Sequence, residues 1–353
     1  MTDLCLGVIG AGVMGTDHAL LADGFVSGVR VAAVTDVDHD RAAALAGRLD
    51  GARVAGSAAE LIDSVDAVVI ASADPTHAEL TLAAVAAGKP VLCEKPLAPT
   101  VAECAGIVAA EEAAGRRLVS VGFMRRFDPV YVRLRQSIED GTVGRPVLVH
   151  CRSRGVSSAP GATSASSITG SAIHEFDTVP WLLSSPVVEV AWWAPDGDTD
   201  GLRDPQLMLL RTADGALTTV EVFLNAGYGY DIRCEVVGTA GTAELPPSTD
   251  VVGRYPADWR PRFADAYRLE LQAWADAVRR DEPPPLADAR DGLRATQVAA
   301  AAIASMESGV PAAVPREAHA APTATRGRRS RRVVGRGRLP TGAKEVSPHE
   351  PTD

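Results

Sequence analysis

Residues 4–9, LCLGVI, form an unbroken apolar run that stops on Gly10-Ala11-Gly12-Val13-Met14-Gly15. Such a run marks a strand buried on both faces, as in a parallel sheet covered by helices. The helix-compatible stretch HALLADGF follows, so the glycines lie in a strand-to-helix turn. There, G-x-G-x-x-G has a mechanical meaning. The first glycine allows the tight turn, the second lets backbone approach a pyrophosphate, and the third permits close packing of helix on strand. The helix N-terminus adds amide donors and a positive dipole end. VRVAAVTD, residues 29–36, reads as a second strand and closes on Asp36, where a carboxylate accepts hydrogen bonds from a ribose diol. The same charge repels a 2′-phosphate, and no basic residue follows before Arg41, so NAD is favoured over NADP.

The alternation continues through DRAAALAGRLDG (40–51, a helix ended by Gly51), DAVVIAS (66–72), AELTLAAVAAG (78–88), PVLCEKP (90–96), VAECAGIVAAEEAAG (101–115) and RLVSVGF (117–123). Strands alternating with amphipathic helices predict an α/β fold whose first domain, residues 1–123, is a doubly wound parallel sheet of the Rossmann type. From residue 124 the pattern changes. Strand signals at 146–154, 188–195, 206–224 and 231–245, with ADG (213–215) and TAGTA (239–243) as hairpin turns, predict a second α/β domain over 124–315 with a mostly antiparallel open sheet. Helices are expected near 174–184, 263–281 and 288–309, the last packing back on the first domain. Residues 316–353 are rich in Pro, Thr, Gly and Arg with little apolar periodicity, and are expected to form a disordered basic tail.

Charge and cysteine usage exclude several function classes. The net charge is −10, although residues 316–353 hold nine Lys/Arg against four Asp/Glu, so the rest of the chain is more acidic still. An acidic body disfavours nucleic acid as a partner. No run approaches the length of a membrane span and the first ten residues carry no secretory pattern, so a cytoplasmic protein with no membrane partner is expected. Five cysteines without a CxxC pair fit neither a disulfide framework nor a zinc site. Cys5, Cys93, Cys151 and Cys234 read as small buried thiols, and no metal is expected. Of the three lysines, two lie in GKPVLCEKPL, which singles out Lys95.

The glycine motif, ASADPTHAELTLAAVAAGKPVLCEKPL, VGFMRRFDPVY, SAIHEFDTVPWLL and YGYDIRCEVVGTAGTAEL together resemble the glucose-fructose oxidoreductase / inositol dehydrogenase / MocA (Gfo/Idh/MocA) family, with inositol 2-dehydrogenases as the nearest likeness. The resemblance runs over residues 4–314, and EKP with GFMRRFDP and a downstream HExD is its specific part. It implies an NAD-dependent oxidoreductase that moves hydride between NAD and a secondary alcohol of a cyclic polyol or sugar. It also implies an open second sheet that forms a homodimer or homotetramer interface. Val13 and Met14 would pack along the pyrophosphate turn. Ser72, Ala73 and His77 would line the nicotinamide side, and Glu94 and Lys95 would face the nicotinamide ribose and the reacting carbon. His77 reads equally as a helix-start histidine with a solvated ring.

Oxidising a secondary alcohol needs a hydride acceptor, a base for the hydroxyl proton and a cation for the developing alkoxide. Lys95 follows the apolar VLCE and precedes Pro96, which puts its ammonium at the carboxyl edge of the sheet, where ligands bind in open α/β folds. His174, at the start of a helix, is the natural base, because imidazole titrates near neutral pH. Asp177, one turn on, either orients the imidazole or caps an amide. Met124, Gly155, Gly170, Tyr228 and Tyr230 are expected to shape the substrate pocket. Two positions depart from the family pattern: Gly170 stands where a carboxylate precedes the histidine by four residues, and Gly155-Val156 stand in place of Asn-Pro. Pro180 inside the helix is expected to kink it. These losses leave alternatives: an aminocyclitol dehydrogenase whose substrate amine replaces the missing carboxylate, other redox-assisted chemistry on the scaffold, or an inactive NAD-binding sensor or partner subunit.

Overall fold

The computed structural model describes residues 3–196, 201–250 and 252–315. The apolar runs of the first part become β1 (Leu4–Ile9), β2 (Val29–Thr35), β3 (Arg53–Val54), β4 (Ala67–Ile70), β5 (Val91–Cys93) and β6 (Val119–Val121). They pair in parallel in the order β3-β2-β1-β4-β5-β6. Strand order reverses between β1 and β4, so a crevice opens at the carboxyl ends of these strands, where open α/β sheets bind ligands. The crossovers are α1 (Val13–Phe25), α2 (His39–Ala46), α3 (Ala58–Ser64), α4 (His77–Ala86) and α5 (Val101–Ala114). α5 starts with a Thr100/Glu103 capping box and ends on Gly115 at φ 70°. α2 stops earlier than expected, at Gly47, whose N–H bonds to the Ala43 and Leu45 carbonyls; Gly51, at φ 73°, belongs to the following loop. The sequence reading missed β3, two exposed residues, and α3, capped by Ser57.

The second part adds α6 (Pro129–Glu139), β7 (Pro146–Arg154), α7 (Ser164–Ser167), α8 (Ile173–Leu183), β8 (Val187–Trp193), β9 (Gln206–Thr212), β10 (Leu217–Phe223), β11 (Asp231–Gly238), β12 (Thr242–Glu244), α9 (Trp259–Arg279), α10 (Ala289–Ser308) and β13 (Ala312–Ala313). Their strands form a seven-stranded sheet, β12-β11-β7-β10-β9-β8-β13, antiparallel except for the β7–β10 pair. Both expected hairpins are present, β9–β10 and β11–β12. Buried and half-exposed residues alternate along β10, so one face of this sheet packs inward and the other faces out. α8 runs unbroken through Pro180, which sits in its last turn and offers its carbonyl to the Ser184 and Ser185 N–H groups.

Late helices close both faces of the parallel sheet. α10 packs on α5, α8 and β8, and a Cβ at Gly292 would lie 2.9 Å from that of Leu97, so glycine sets the approach. Leu271, Trp274 and Ala275 of α9 share one cluster with Leu6 and Val8 of β1 and Ala19 and Ala22 of α1, a return that the sequence did not announce. All five cysteines are free; four are buried, while Cys5 is only partly so. Among the described residues no helix is long and apolar enough to cross a membrane. The expected tail lies outside the described residues.

Candidate active site

The glycine turn behaves as its spacing requires. Gly10 has φ 101°, and a Cβ there would meet the Ala71 carbonyl oxygen at 2.5 Å; a Cβ at Gly15 would lie 1.8 Å from the Gly10 carbonyl oxygen. Around Gly12 the opposite holds, since a Cβ would meet nothing within 4 Å. Gly12 caps α1 without a side-chain bond, which leaves the helix's first amides open for an anion. Asp36 braces this turn: its carboxylate accepts the Ala11 N–H at 2.6 Å and the Asp38 N–H at 2.8 Å. The guanidinium of Arg41 comes to 3.5 Å of it, a neighbour that the sequence did not assign. An open cradle of amides beside a carboxylate fits the pyrophosphate and ribose of NAD.

Glu94 and Lys95 follow directly on β5, and their side chains go to different places. Glu94 is buried; Oε1 pairs with His18 Nε2 at 2.7 Å and Oε2 accepts the Lys95 N–H at 3.1 Å. Burial would raise its pKa, but His18 and Lys95 hold the carboxyl below the usual range. Glu94 thus fixes the backbone behind Lys95 instead of facing a ribose. His77 is likewise buried and not solvated. Its Nδ1 lies 2.7 Å from the Pro96 carbonyl oxygen and Nε2 3.1 Å from that of Ser72, so it is a strut under the Lys95–Pro96 turn. Burial disfavours its charge, but the Cys93 thiol and the two carbonyls outweigh it and lift its pKa to about 10. Ser72 shares a 2.6 Å hydrogen bond with Thr76, and Ala73 caps the short turn Asp74–Thr76.

A cavity of about 330 Å³ opens beside Lys95 and reaches Val13 and Met14 of the glycine turn, a size suited to a small molecule. Lys95, Met124, Gly155, Gly170 and His174 line it, which brings together five residues singled out from the sequence. Of the two tyrosines, Tyr230 lines it and Tyr228 does not. Tyr228 is exposed, takes a hydrogen bond from Arg154 at 3.0 Å and donates to Asp231. The Lys95 ammonium donates to the backbone carbonyl of Gly170 at 3.0 Å. Gly170 lies in a single π-helical turn, Ile168–Ala172, directly before α8; such turns gather at functional sites.

His174, in the first turn of α8, has its Nδ1 unpartnered and its ring edge-on to Phe123, centroids 6.3 Å apart. Burial first, then the charges of Lys95 and Arg125, push its pKa well below 6.5, so the imidazole is neutral at pH 7. Asp177 neither orients it nor caps an amide. Its carboxylate takes two hydrogen bonds from Arg126, Nε at 3.0 Å and Nη2 at 2.5 Å. Burial lifts the Asp177 pKa to about 6 against the pull of Arg126. Arg125 bonds Glu175, and Ser153 donates to the same carboxylate at 2.6 Å. Consecutive arginines of GFMRRFD therefore grip two carboxylates of HEFD, fixing the turn that carries His174. The sequence offered a signal in the paired charges but no contact between the motifs. Arg125, Ser153, Trp259 and Tyr267 of the lining were also missed. Among the described residues no acidic, histidine or cysteine cluster could hold a metal.

Comparison with known proteins agrees with this architecture. Residues 4–123 match an oxidoreductase family described as an NAD-binding Rossmann fold, and residues 135–314 its C-terminal alpha/beta domain. The chain is 52% identical over 321 residues to inositol 2-dehydrogenase 2 of Paenarthrobacter aurescens, covering 86% of this chain and 96% of that protein. It is 48% identical to inositol 2-dehydrogenase 1 of Saccharopolyspora erythraea, covering 88% and 96%. Among solved structures, the Lactobacillus casei myo-inositol dehydrogenase in complex with NAD(H) and myo-inositol superposes with a TM-score of 0.85 at 31% identity, over 90% of this chain and 98% of that one. With the glycine cradle, the two-sheet fold and the Lys95/His174 cavity in place, the chain belongs to the Gfo/Idh/MocA family of NAD-binding oxidoreductases.

Proposed function

We propose that this protein is an NAD-dependent dehydrogenase that oxidises a secondary alcohol of a cyclic polyol of the inositol class, with Lys95 and His174 as the working pair. The observation that carries it is a single cavity bounded by a lysine ammonium, a neutral imidazole and the glycine turn. Residues 1–123 would hold the cofactor and 124–315 most of the substrate. Lys95, steadied by the Gly170 carbonyl, holds the substrate hydroxyl oxygen and stabilises the alkoxide as it forms. His174 takes the hydroxyl proton. NAD, held by the glycine turn and Asp36, would supply the acceptor for the carbon's hydride, so that a C–H and an O–H bond would be exchanged for a ketone, NADH and one proton. The names of the similar proteins support this substrate class.

An ammonium-bearing substrate fits poorly, because the Lys95 ammonium lines the cavity and no Asp or Glu among the described residues does. An inactive sensor has no use for both cation and base. The reading is tested by NADH formation from myo-inositol, followed by ultraviolet absorbance. Lys95→Ala and His174→Ala should each abolish turnover and leave NAD affinity by calorimetry nearly unchanged. Turnover kept in both variants would overturn it. Leu148, Trp193 and Leu207, exposed on β7, β8 and β9, support a homodimer or homotetramer through the outer face of the second sheet. Light scattering at monomer mass would contradict that. Free cysteines and an NAD-dependent reaction fit a reducing cytoplasm.

A further inference from the structure

We infer that the preferred substrate carries a carboxylate, seated in the notch beside Gly170 against the Lys95 ammonium, on the ring carbon next to the one oxidised. The inference rests on the dehydrogenase reading but takes the ring beyond the neutral inositols, to one that bears an acid group. Three cationic side chains line the cavity, and among the described residues no Asp or Glu does. Two of the cations are neutralised from outside it: Arg125 by Glu175, and Arg154 by Glu221 at 2.5 Å. Lys95 is not. Its ammonium meets a neutral oxygen, the Gly170 carbonyl. The carboxylate beside it in sequence, Glu94, is buried with its oxygens committed to His18 and to the Lys95 backbone N–H.

Space and charge coincide here. A Cβ at Gly170 would meet nothing within 4 Å, so the wall beside Lys95 is recessed where a side chain would otherwise project. An ammonium has three donors, and the Gly170 carbonyl uses one. A cation in a partly enclosed pocket without an acidic wall attracts an anionic group and repels a cationic one. A planar carboxylate fills the recess and takes one of the two remaining donors, which leaves the other for the reacting hydroxyl, whereas a neutral polyol offers only hydroxyls there. The redox chemistry would be unchanged: bound NAD would supply the hydride acceptor, His174 takes the hydroxyl proton, and the carboxylate serves as an anchor without gaining or losing electrons.

The test compares methyl α-D-glucuronide and methyl α-D-galacturonide, each with its neutral carboxamide, alongside myo-inositol. At least one uronide should exceed its carboxamide in kcat/KM by about tenfold or more, chiefly through KM, with the gap narrowing at high salt. Gly170→Asp places a carboxylate in the recess and should bring the two to near parity; melting temperature and NAD affinity check its fold. If that variant fails to fold, the acid-to-amide ratio of the unmutated protein decides alone. A carboxamide as good as its uronide, or turnover of myo-inositol with neither uronide accepted, overturns the inference and leaves the dehydrogenase reading standing. No turnover of any polyol by NAD-loaded protein overturns both.

Discussion

His174 sets the pH behaviour of the site. Burial and the neighbouring charges of Lys95 and Arg125 hold its pKa well below 6.5, so the base stays unprotonated through neutral pH. The kcat/KM profile for polyol oxidation should keep its plateau down to pH 6.5, and a limb centred higher would place the proton on another group. Stability follows the same sign. The unfolded imidazole binds a proton below 6.5 and the folded one does not, so the protein should lose stability as pH falls through that value. The glycine turn offers a paired test. Gly15→Ala forces a Cβ against the Gly10 carbonyl and should lower the melting temperature. Gly12→Ala should leave it unchanged yet weaken NAD binding, because only the cradle is filled. Asp36→Ser should narrow the preference for NAD over NADP by about 1–3 kcal/mol, read from the two dissociation constants. Spacing singled out Gly10, Gly12, Gly15 and Asp36, and motif context added Lys95 and His174, which the structure places around one turn and one cavity. The burial of Glu94 against His18 and of His77 between two carbonyls was not legible, since adjacency in sequence does not say which side of a turn each side chain takes.

The joint between the segment Met124–Phe127 and α8 is held by ion pairs. Arg126→Met would leave Asp177, whose carboxylate is almost wholly buried, without its partner. The expected loss is about 3–5 kcal/mol at neutral pH by chemical denaturation. It should shrink toward about pH 5, because Asp177, with a pKa already lifted to about 6, then takes a proton and sheds its charge. Adding Asp177→Leu should recover most of the loss, and a double variant whose loss equals the sum of the two single losses would show that the pair acts independently. Elements with strong periodicity were legible in advance: β1, β7, α8 and α10 lie close to where their patterns place them. β3 was too short and exposed for any pattern. α6, which Asp128 caps ahead of Pro129, was not expected from the sequence. The contact between the two charged motifs belongs to tertiary packing, which periodicity along one helix does not encode.

For the molecule as a whole, the two sheets and their order of appearance were readable, because apolar runs separate buried parallel strands from half-buried antiparallel ones. The partners of the late helices were not, since an amphipathic face shows that something is covered and not what. A chain ending at Pro315 should keep its melting temperature and NAD affinity, because the matched family region ends at residue 314; a marked fall in either would tie the last residues to the body. The return of α9 onto β1 and α1 also bears on how the protein is made. The first strand leaves the ribosome early, yet Leu271, Trp274 and Ala275, which cover its face, are synthesised more than two hundred residues later. Until then Leu6, Val8, Ala19 and Ala22 lack the cover that α9 gives them, so the order of synthesis leaves an apolar face of the first domain to be closed late.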